Sequence, residues 1–402
     1  MSTPANLAPL MSRGMSAVLL AQFLSAFADN ALLFAAIALL KATAAPSWQT
    51  PLLQEFFVLA FIVLAPFVGP FADSLPKGRV MLAANGIKLL GAAAMLFGMP
   101  PLLAYGVVGL GAAAYSPAKY GILGELVVPE QLVKANSLME GSTIVAILLG
   151  AVAGGYLADV AVDLALWVIF ASYLLAALVN LLIPRLPPAH PFAGSSLSGL
   201  LTGFWQSLAG LVRDPDARFS LIGTSVFWGA GSTLRFVLVA WVPVALGIFD
   251  NATPANLSGV VAIGITLGAA AAGHLVSLER VNRALPAGLL IGILIIAFVH
   301  QTSLYPAVLL LVLIGACGGF YVVPLNALLQ ARGHHSVGTG HAIAVQNFFE
   351  NTMMLLLVGI YTLLMRAGGD VVSVGSVIGI LVLCSVGLIG HLRRRGQVRP
   401  SV

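Results

Sequence analysis

The sequence predicts an all-α integral membrane protein of about twelve transmembrane helices in two six-helix halves. Three observations carry the prediction. Of 402 residues, 59% are hydrophobic and 8% charged, whereas a soluble domain carries about 25% charged residues. The apolar residues gather into runs close to the roughly 20 residues that a bilayer-crossing helix needs. One long interruption, Arg185 to Arg218, holds Pro187, Pro188 and Pro191 just after Pro184 and separates two sets of runs. The net charge of +5 is scattered at the ends of apolar runs rather than gathered with aromatics on one face. Nucleic-acid binding is therefore not expected.

The first run starts near Met15 and continues to about Leu40. A signal-peptide apolar core is only about 7–15 residues long, so this run reads as a retained span over 15–41. Spans follow near 52–72, 79–98, 101–123, 135–158 and 160–183, completing a first half over 1–184. In the linker, 185–218, Phe204, Trp205, Leu208 and Leu211 recur at helical spacing. An amphipathic helix lying on the membrane surface is expected there. The second half, 219–402, holds spans near 219–247, 257–276, 286–300, 306–330, 342–365 and 371–391.

Basic residues set the orientation. With both termini cytoplasmic, the cytoplasmic segments hold basic residues from Arg13, Lys77 and Arg79 through Arg332 to Arg393, Arg394 and Arg395. The opposite side holds only Lys41 and Arg366. The halves also repeat. An offset of 207 residues places Pro117 on Pro324, Ala135 on Ala342, Lys119 on Asn326 and Glu140 on Asn347. Such repeats place a site at the interface of the halves.

Six charges lie inside apolar runs: Asp29, Lys88, Lys119, Glu140, Arg235 and Glu350. Each costs about 2.5–3.5 kcal/mol at a helix centre on insertion scales, so an intramembrane charge points to function. Three are positive and three negative, which suits chamber walls that pair across the halves when empty. Most lie on polar stripes: Gln22, Ser25 and Asp29, with Asn30 adjacent; Asn136, Glu140 and Thr143; Trp228, Ser232 and Arg235; Gln346 with Glu350. The alternative reading of each charge is an ion pair locking two helices. For Lys88, on the third span of its triplet, that reading or snorkelling is preferred. The spans near 160–183, 286–300 and 371–391 lack a central charge and are expected to be peripheral supports. Pro117 and Pro324 are expected to kink their helices, and Gly150, Gly154 and Gly155 to permit close packing. His274, His334, His335 and His341 read as interfacial. Cys317 and Cys384 lie in apolar runs, where neither a disulfide nor a metal site is expected. The chain has no Walker A, nucleophile-elbow or metal-ligand spacing, so no cofactor, metal or enzymatic activity is expected.

Twelve spans, a central linker and the loop Gly69-x3-Asp73 to Lys77-Gly78-Arg79 resemble the major facilitator superfamily. The resemblance implies its fold and a gating role for Asp73, Lys77 and Arg79. The superfamily signature has a glycine three residues after the aspartate, whereas Gly78 follows Asp73 by five. More specific segments are AQFLSAFADNALLFA from Ala21, AAAYSPAKYGILGEL from Ala112 and VKANSLMEGSTIVAILLG from Val133. With FWGAGSTLRF from Phe227 and VPLNALLQ from Val323, they resemble the bacterial lysophospholipid transporters of that superfamily across nearly the whole chain. That resemblance implies a Gram-negative inner-membrane flippase carrying lysophosphatidylethanolamine and lysophosphatidylglycerol from the outer to the inner leaflet. It also implies a functional partnership with an acyltransferase–acyl carrier protein synthetase that restores the second acyl chain.

The residues suit such a cargo. Arg235 and Lys119 can neutralise phosphate, Arg235 with a bidentate fork. Asp29, Glu140 or Glu350 can meet an ammonium. The expected substrate-binding set is Asp29, Asn30, Tyr115, Lys119, Glu140, Arg235, Gln346 and Glu350. Two other readings fit the same residues: a proton-coupled exporter of amphiphilic drugs, and a non-transporting scaffold or sensor for the acyltransferase.

Overall fold

Local sequence starts and stops the helices. Ser12 caps the first one, its hydroxyl accepting from the Met15 amide at 3.1 Å. Asp214 caps another by accepting from the Asp216 and Ala217 amides, with Pro215 at the first helical position. That helix ends at Gly247, whose φ of 66° is the left-handed conformation glycine adopts without strain. The structure, a computed structural model, describes residues 10–128, 132–186, 197–337 and 339–397. The first half contains α1 (Arg13–Ala42), α2 (Leu52–Ser74), α3 (Lys77–Leu96), α4 (Pro101–Gly121), the single turn α5 (Leu123–Leu126), α6 (Leu132–Val160) and α7 (Val162–Asn180). The linker forms α8 (Leu197–Arg213). The second half contains α9 (Pro215–Leu246), α10 (Ala252–Leu275), α11 (Leu285–Val299), α12 (Leu304–Ser336), α13 (Thr339–Arg366) and α14 (Val371–Gln397).

Each expected span coincides with a helix to within five residues, apart from α12 and α14, which run nearly two turns further toward the side of the termini. Among the described residues, eleven helices are long and apolar enough to cross a membrane. The remaining expected span, α4, has the necessary 21 residues. Its glycines, alanines and the Tyr115–Tyr120 segment leave it less apolar. Pro117 and Pro324 both sit inside their helices, α4 and α12.

Glycine sets the tightest packing. A Cβ at Gly264 or Gly268 of α10 would run into the backbone of α12, and one at Gly315 or Gly319 of α12 into that of α10. Small residues let two backbones approach in this way inside a bilayer. Gly150 and Gly154 of α6 do the same against Phe27 and Ala31 of α1. Gly155 lies instead against Asn251 and Ala255, at the start of α10 in the other half. The expected packing role of these glycines thus extends across the junction.

The helix expected in the linker forms as α8, and part of its apolar face packs on protein. Phe204 and Leu211 are buried with Ala217, Leu221, Leu329, Ala342 and Val345 of the second half and Ala65 of α2. The Phe204 ring meets Phe348 edge-on at 5.5 Å. Helical spacing identified this face, and protein covers its Phe204 and Leu211. Trp205, on the flank, remains 52% exposed.

Candidate functional site

The polar stripe of α1 faces inward and is occupied by neighbouring helices. Lys88 Nζ lies 2.7 Å from Asp29 Oδ2 and 2.9 Å from Ser25 Oγ. Tyr173 of α7 donates to Asp29 Oδ1 at 2.7 Å, and Ser25 donates to Asn85 Oδ1 at 2.7 Å. Lys88 is 2% exposed and its ammonium sits 5.0 Å over the Tyr115 ring. Asp29 is therefore held by an ion pair and a phenol, both within the first half. Gln22 donates to Thr143 Oγ1 at 3.0 Å, tying α1 to α6. Asn30 donates to the Ala26 carbonyl of its own helix at 2.9 Å. The expectation that α7 is an uninvolved support is corrected, because its Tyr173 completes the Asp29 cluster. The signal for Tyr173 was weak, an aromatic in an apolar run; its buried hydroxyl required a polar partner.

Arg235 is different. It is half-buried near the middle of α9 and has no hydrogen bond or ion pair among the described residues. It lies within electrostatic reach of the Tyr105 hydroxyl of α4, as does Asp29, so it faces the first half. Tyr105 itself is buried and stacks on Phe57 at 5.0 Å. The face carrying Trp228, Gly231 and Ser232 is also accessible, and nothing lies within 4 Å of a Cβ added at Gly231. A permanent cation on an open helix face suits an anion better than a structural bridge would.

Glu350 lies on α13 and is buried. Gln346 donates from Nε2 to Glu350 Oε1 at 2.8 Å and to Asn326 Oδ1 at 2.8 Å. Asn326 is the position that the repeat places opposite Lys119. The carboxylate thus has an amide beside it rather than a cation. Lys119 is 8% exposed, with its ammonium 4.5 Å over the Tyr120 ring. Tyr115 is buried beneath Lys88. The Glu140 side chain lies outside the described residues. Pairing of every buried charge across the halves is not what forms. Lys88 and Asp29 pair within one half, while Arg235 and Glu350 form no ion pair among the described residues.

Of the expected gating residues, Lys77 is buried and bonds Glu125 Oε1 at 2.6 Å within the first half. Arg79 is exposed, and the Asp73 side chain lies outside the described residues. The hydrogen bonds that cross between described side chains of the two halves cluster away from the termini. Asp159 at the end of α6 accepts from the amides of Asn251 and Ala252, at 2.7 and 2.8 Å, and so caps α10 of the other half. Lys41 donates to Asn251 Oδ1 at 2.8 Å. Thr362 of α13 donates to Glu55 of α2 at 2.9 Å, and Arg366 stacks over Trp48 at 4.9 Å. Sequence reading gave none of these residues a gating role. Among the described residues, no cluster of His, Cys, Asp or Glu could hold a metal, and Cys317 and Cys384 are free.

The Major Facilitator Superfamily model matches residues 18–358. The chain is 58% identical to the lysophospholipid transporter LplT of Enterobacter sp. (strain 638), covering 96% of this chain and 98% of that protein. It is 57% identical to lysophospholipid transporter LplT of Escherichia coli O139:H28, covering 96% and 97%. Among solved structures, a bacterial homolog of the human lysosomal transporter Spinster, inward-facing and unoccupied, aligns with a TM-score of 0.73 at 15% identity. That alignment covers 98% of this chain and 99% of the other. The nucleoside transporter NupG aligns with a TM-score of 0.72 at 12% identity, covering 95% and 99%. These likenesses show the fold, and the sequence relatives are transporters rather than enzymes. A multi-pass membrane chain with this fold and these relatives belongs to the major facilitator superfamily and, within it, to the lysophospholipid transporters.

Proposed function

We propose that the chain is a flippase that carries lysophosphatidylethanolamine and lysophosphatidylglycerol from the outer to the inner leaflet of a bacterial inner membrane. Both termini are cytoplasmic, and delivery is to an acyltransferase–acyl carrier protein synthetase that restores the missing acyl chain. The observation that carries this reading is Arg235, a permanent cation on an accessible helix face with no anionic partner among the described residues. It would take the phosphate through its planar fork. Glu350, held by Gln346, would meet the ammonium of an ethanolamine headgroup. Lys119, Asn30, Tyr115 and Glu140 complete the proposed headgroup set, and the acyl tail needs no polar shelter. The halves would alternate about the site, with Asp73, Lys77 and Arg79 acting on the cytoplasmic side. The test is a lysophospholipid flipping assay with purified chain in liposomes. Movement of labelled lysophosphatidylglycerol that stops in Arg235→Ala supports the reading; no movement by the folded wild type overturns it.

A second reading, a proton-coupled exporter of amphiphilic drugs, rests on Glu350. Among the described residues, this buried carboxylate has an amide beside it and no ion-pair partner. It predicts drug efflux that collapses with an uncoupler.

A further inference from the structure

Away from Arg235 and Glu350, a cleft lies between α11 and α14 at the end that carries the termini. Midway along these helices the two backbones touch. A Cβ on Gly292 would stand 2.6 Å from the Gly379 carbonyl, and one on Gly288 would stand 3.0 Å from Val386. Toward the termini the helices part. A Cβ on Gly387 would meet nothing nearer than Leu289 at 3.9 Å, and one on Gly390 nothing nearer than Leu285 at 3.5 Å. The absent side chains leave a cleft of about 300 Å³. Its depth is apolar, formed by Leu285, Leu289 and Val386, and its mouth carries Asn282, His391 and Arg393.

The mouth is fixed and positive. Arg393 donates to Asn282 Oδ1, pairs with Asp216 at 2.9 Å and lies 4.1 Å over the Phe219 ring. Asp216 is shared with Arg332. Arg280 and Arg283, both exposed, lie on the 3-10 segment Leu278–Ala284 that leads into α11. Arg283 directly follows Asn282 of the mouth in sequence, and Arg332 and Arg393 share the single carboxylate of Asp216, which leaves that ion-paired group with an excess of one positive charge. The start of α11 adds its positive dipole end.

We propose that this cleft holds one anionic diacyl phospholipid of the surrounding leaflet. One acyl chain lies between α11 and α14, and the phosphate lies against the Arg283–His391–Arg393 mouth. The orientation matches that of a leaflet lipid, with apolar depth toward the membrane centre and basic rim toward water. Basic mouths between spanning helices select anionic headgroups for this reason. The assignment is independent of which molecule the chamber transports.

Native mass spectrometry of the purified full chain tests it, with phosphatidylglycerol and phosphatidylcholine added separately. The wild type should retain one phosphatidylglycerol in preference to phosphatidylcholine. Gly390→Leu, which fills the cleft, should lose that lipid while its lipid-free unfolding temperature is unchanged. Arg283→Ala, at an exposed position that removes no packing, should weaken retention about fivefold, the effect of one basic residue at an anionic surface. Equal retention of both lipids by the wild type, or wild-type retention by Arg283→Ala, overturns the proposal. So does displacement of the lipid by inorganic phosphate, which would make the mouth an anion site with no use for the cleft.

Discussion

Arg235 is the residue on which the chamber turns. Arg235→Lys keeps the charge but loses the two-pronged geometry. Transport of lysophosphatidylglycerol is expected to fall about tenfold in Arg235→Lys, the loss of roughly one charged hydrogen bond. It should vanish in Arg235→Ala, with normal membrane insertion in both. Initial rates in liposomes check this, and wild-type flux in Arg235→Ala would remove Arg235 from the site. A second prediction concerns Lys88, which is 2% exposed and 2.7 Å from Asp29. Lys88→Met strands the half-buried Asp29 carboxylate and should destabilise the chain by about 3 kcal/mol, the low end for breaking a buried pair. Lys88→Met with Asp29→Asn should recover most of that loss in a thermal-unfolding cycle. Strict additivity would show that the two are not coupled. If the double variant also transports, Asp29 acts as a counterion to Lys88 rather than as a headgroup ligand. The candidate chamber was legible in the sequence only as a set of charges and stripes. A polar residue every third or fourth position reveals which face of α1 is polar, not which neighbour occupies it. Asp29 therefore read as open to substrate although Lys88 and Tyr173 fill its near side. Tyr105 and Tyr173 gave only a weak signal, since a phenol inside an apolar run looks like core.

Among elements, the joint between α6 and α10 is one that any parting of the far ends of the halves must break. Asp159 caps α10 across the junction by accepting from two of its first amides. A cap is worth about 1 kcal/mol. It exists only while the far ends of the halves are together, so its whole value biases that state. Asp159→Ala should shift the balance about fivefold toward the form parted at the far side. Spin labels on the exposed residues Tyr156 and Phe249 report the far-side separation. An unchanged distance distribution would rule the cap out as a latch. The linker helix α8 acts near the other end. Its Phe204 and Leu211 join α9, α12 and α13 to Ala65 of α2, so it touches both halves where no hydrogen bond between described side chains does. Its helical nature was legible from spacing. Its partner was not, because an apolar stripe packs equally well on lipid or on Phe348.

At the scale of the whole molecule, the spans were legible because a bilayer imposes one length on every crossing helix and forbids exposed backbone between them. Which helix lies beside which was not, since that depends on single close approaches such as Gly155 against Ala255. The assembled interior permits an argument about energy that a count of charges does not. Lys88 and Asp29 cancel inside the first half. Arg235 and Glu350 remain as opposite charges without ion-pair partners among the described residues. A zwitterionic headgroup, phosphate toward Arg235 and ammonium toward Glu350, leaves the charge of the interior unchanged. A phosphoglycerol headgroup neutralises Arg235 and leaves Glu350 as one net negative charge. The zwitterionic cargo therefore requires no proton for charge balance, and reacylation on the receiving side would keep the lipid gradient downhill. Downhill lysophosphatidylethanolamine movement in proteoliposomes should therefore continue when an uncoupler abolishes the proton gradient. Loss of movement under that condition, with the chain still folded, would place the coupling on Glu350, whose neighbour Gln346 supplies a hydrogen bond but no charge. Glu350→Gln should then make the remaining flux insensitive to the uncoupler, whereas a flux still dependent on the gradient would move the proton to Asp29 or Glu140.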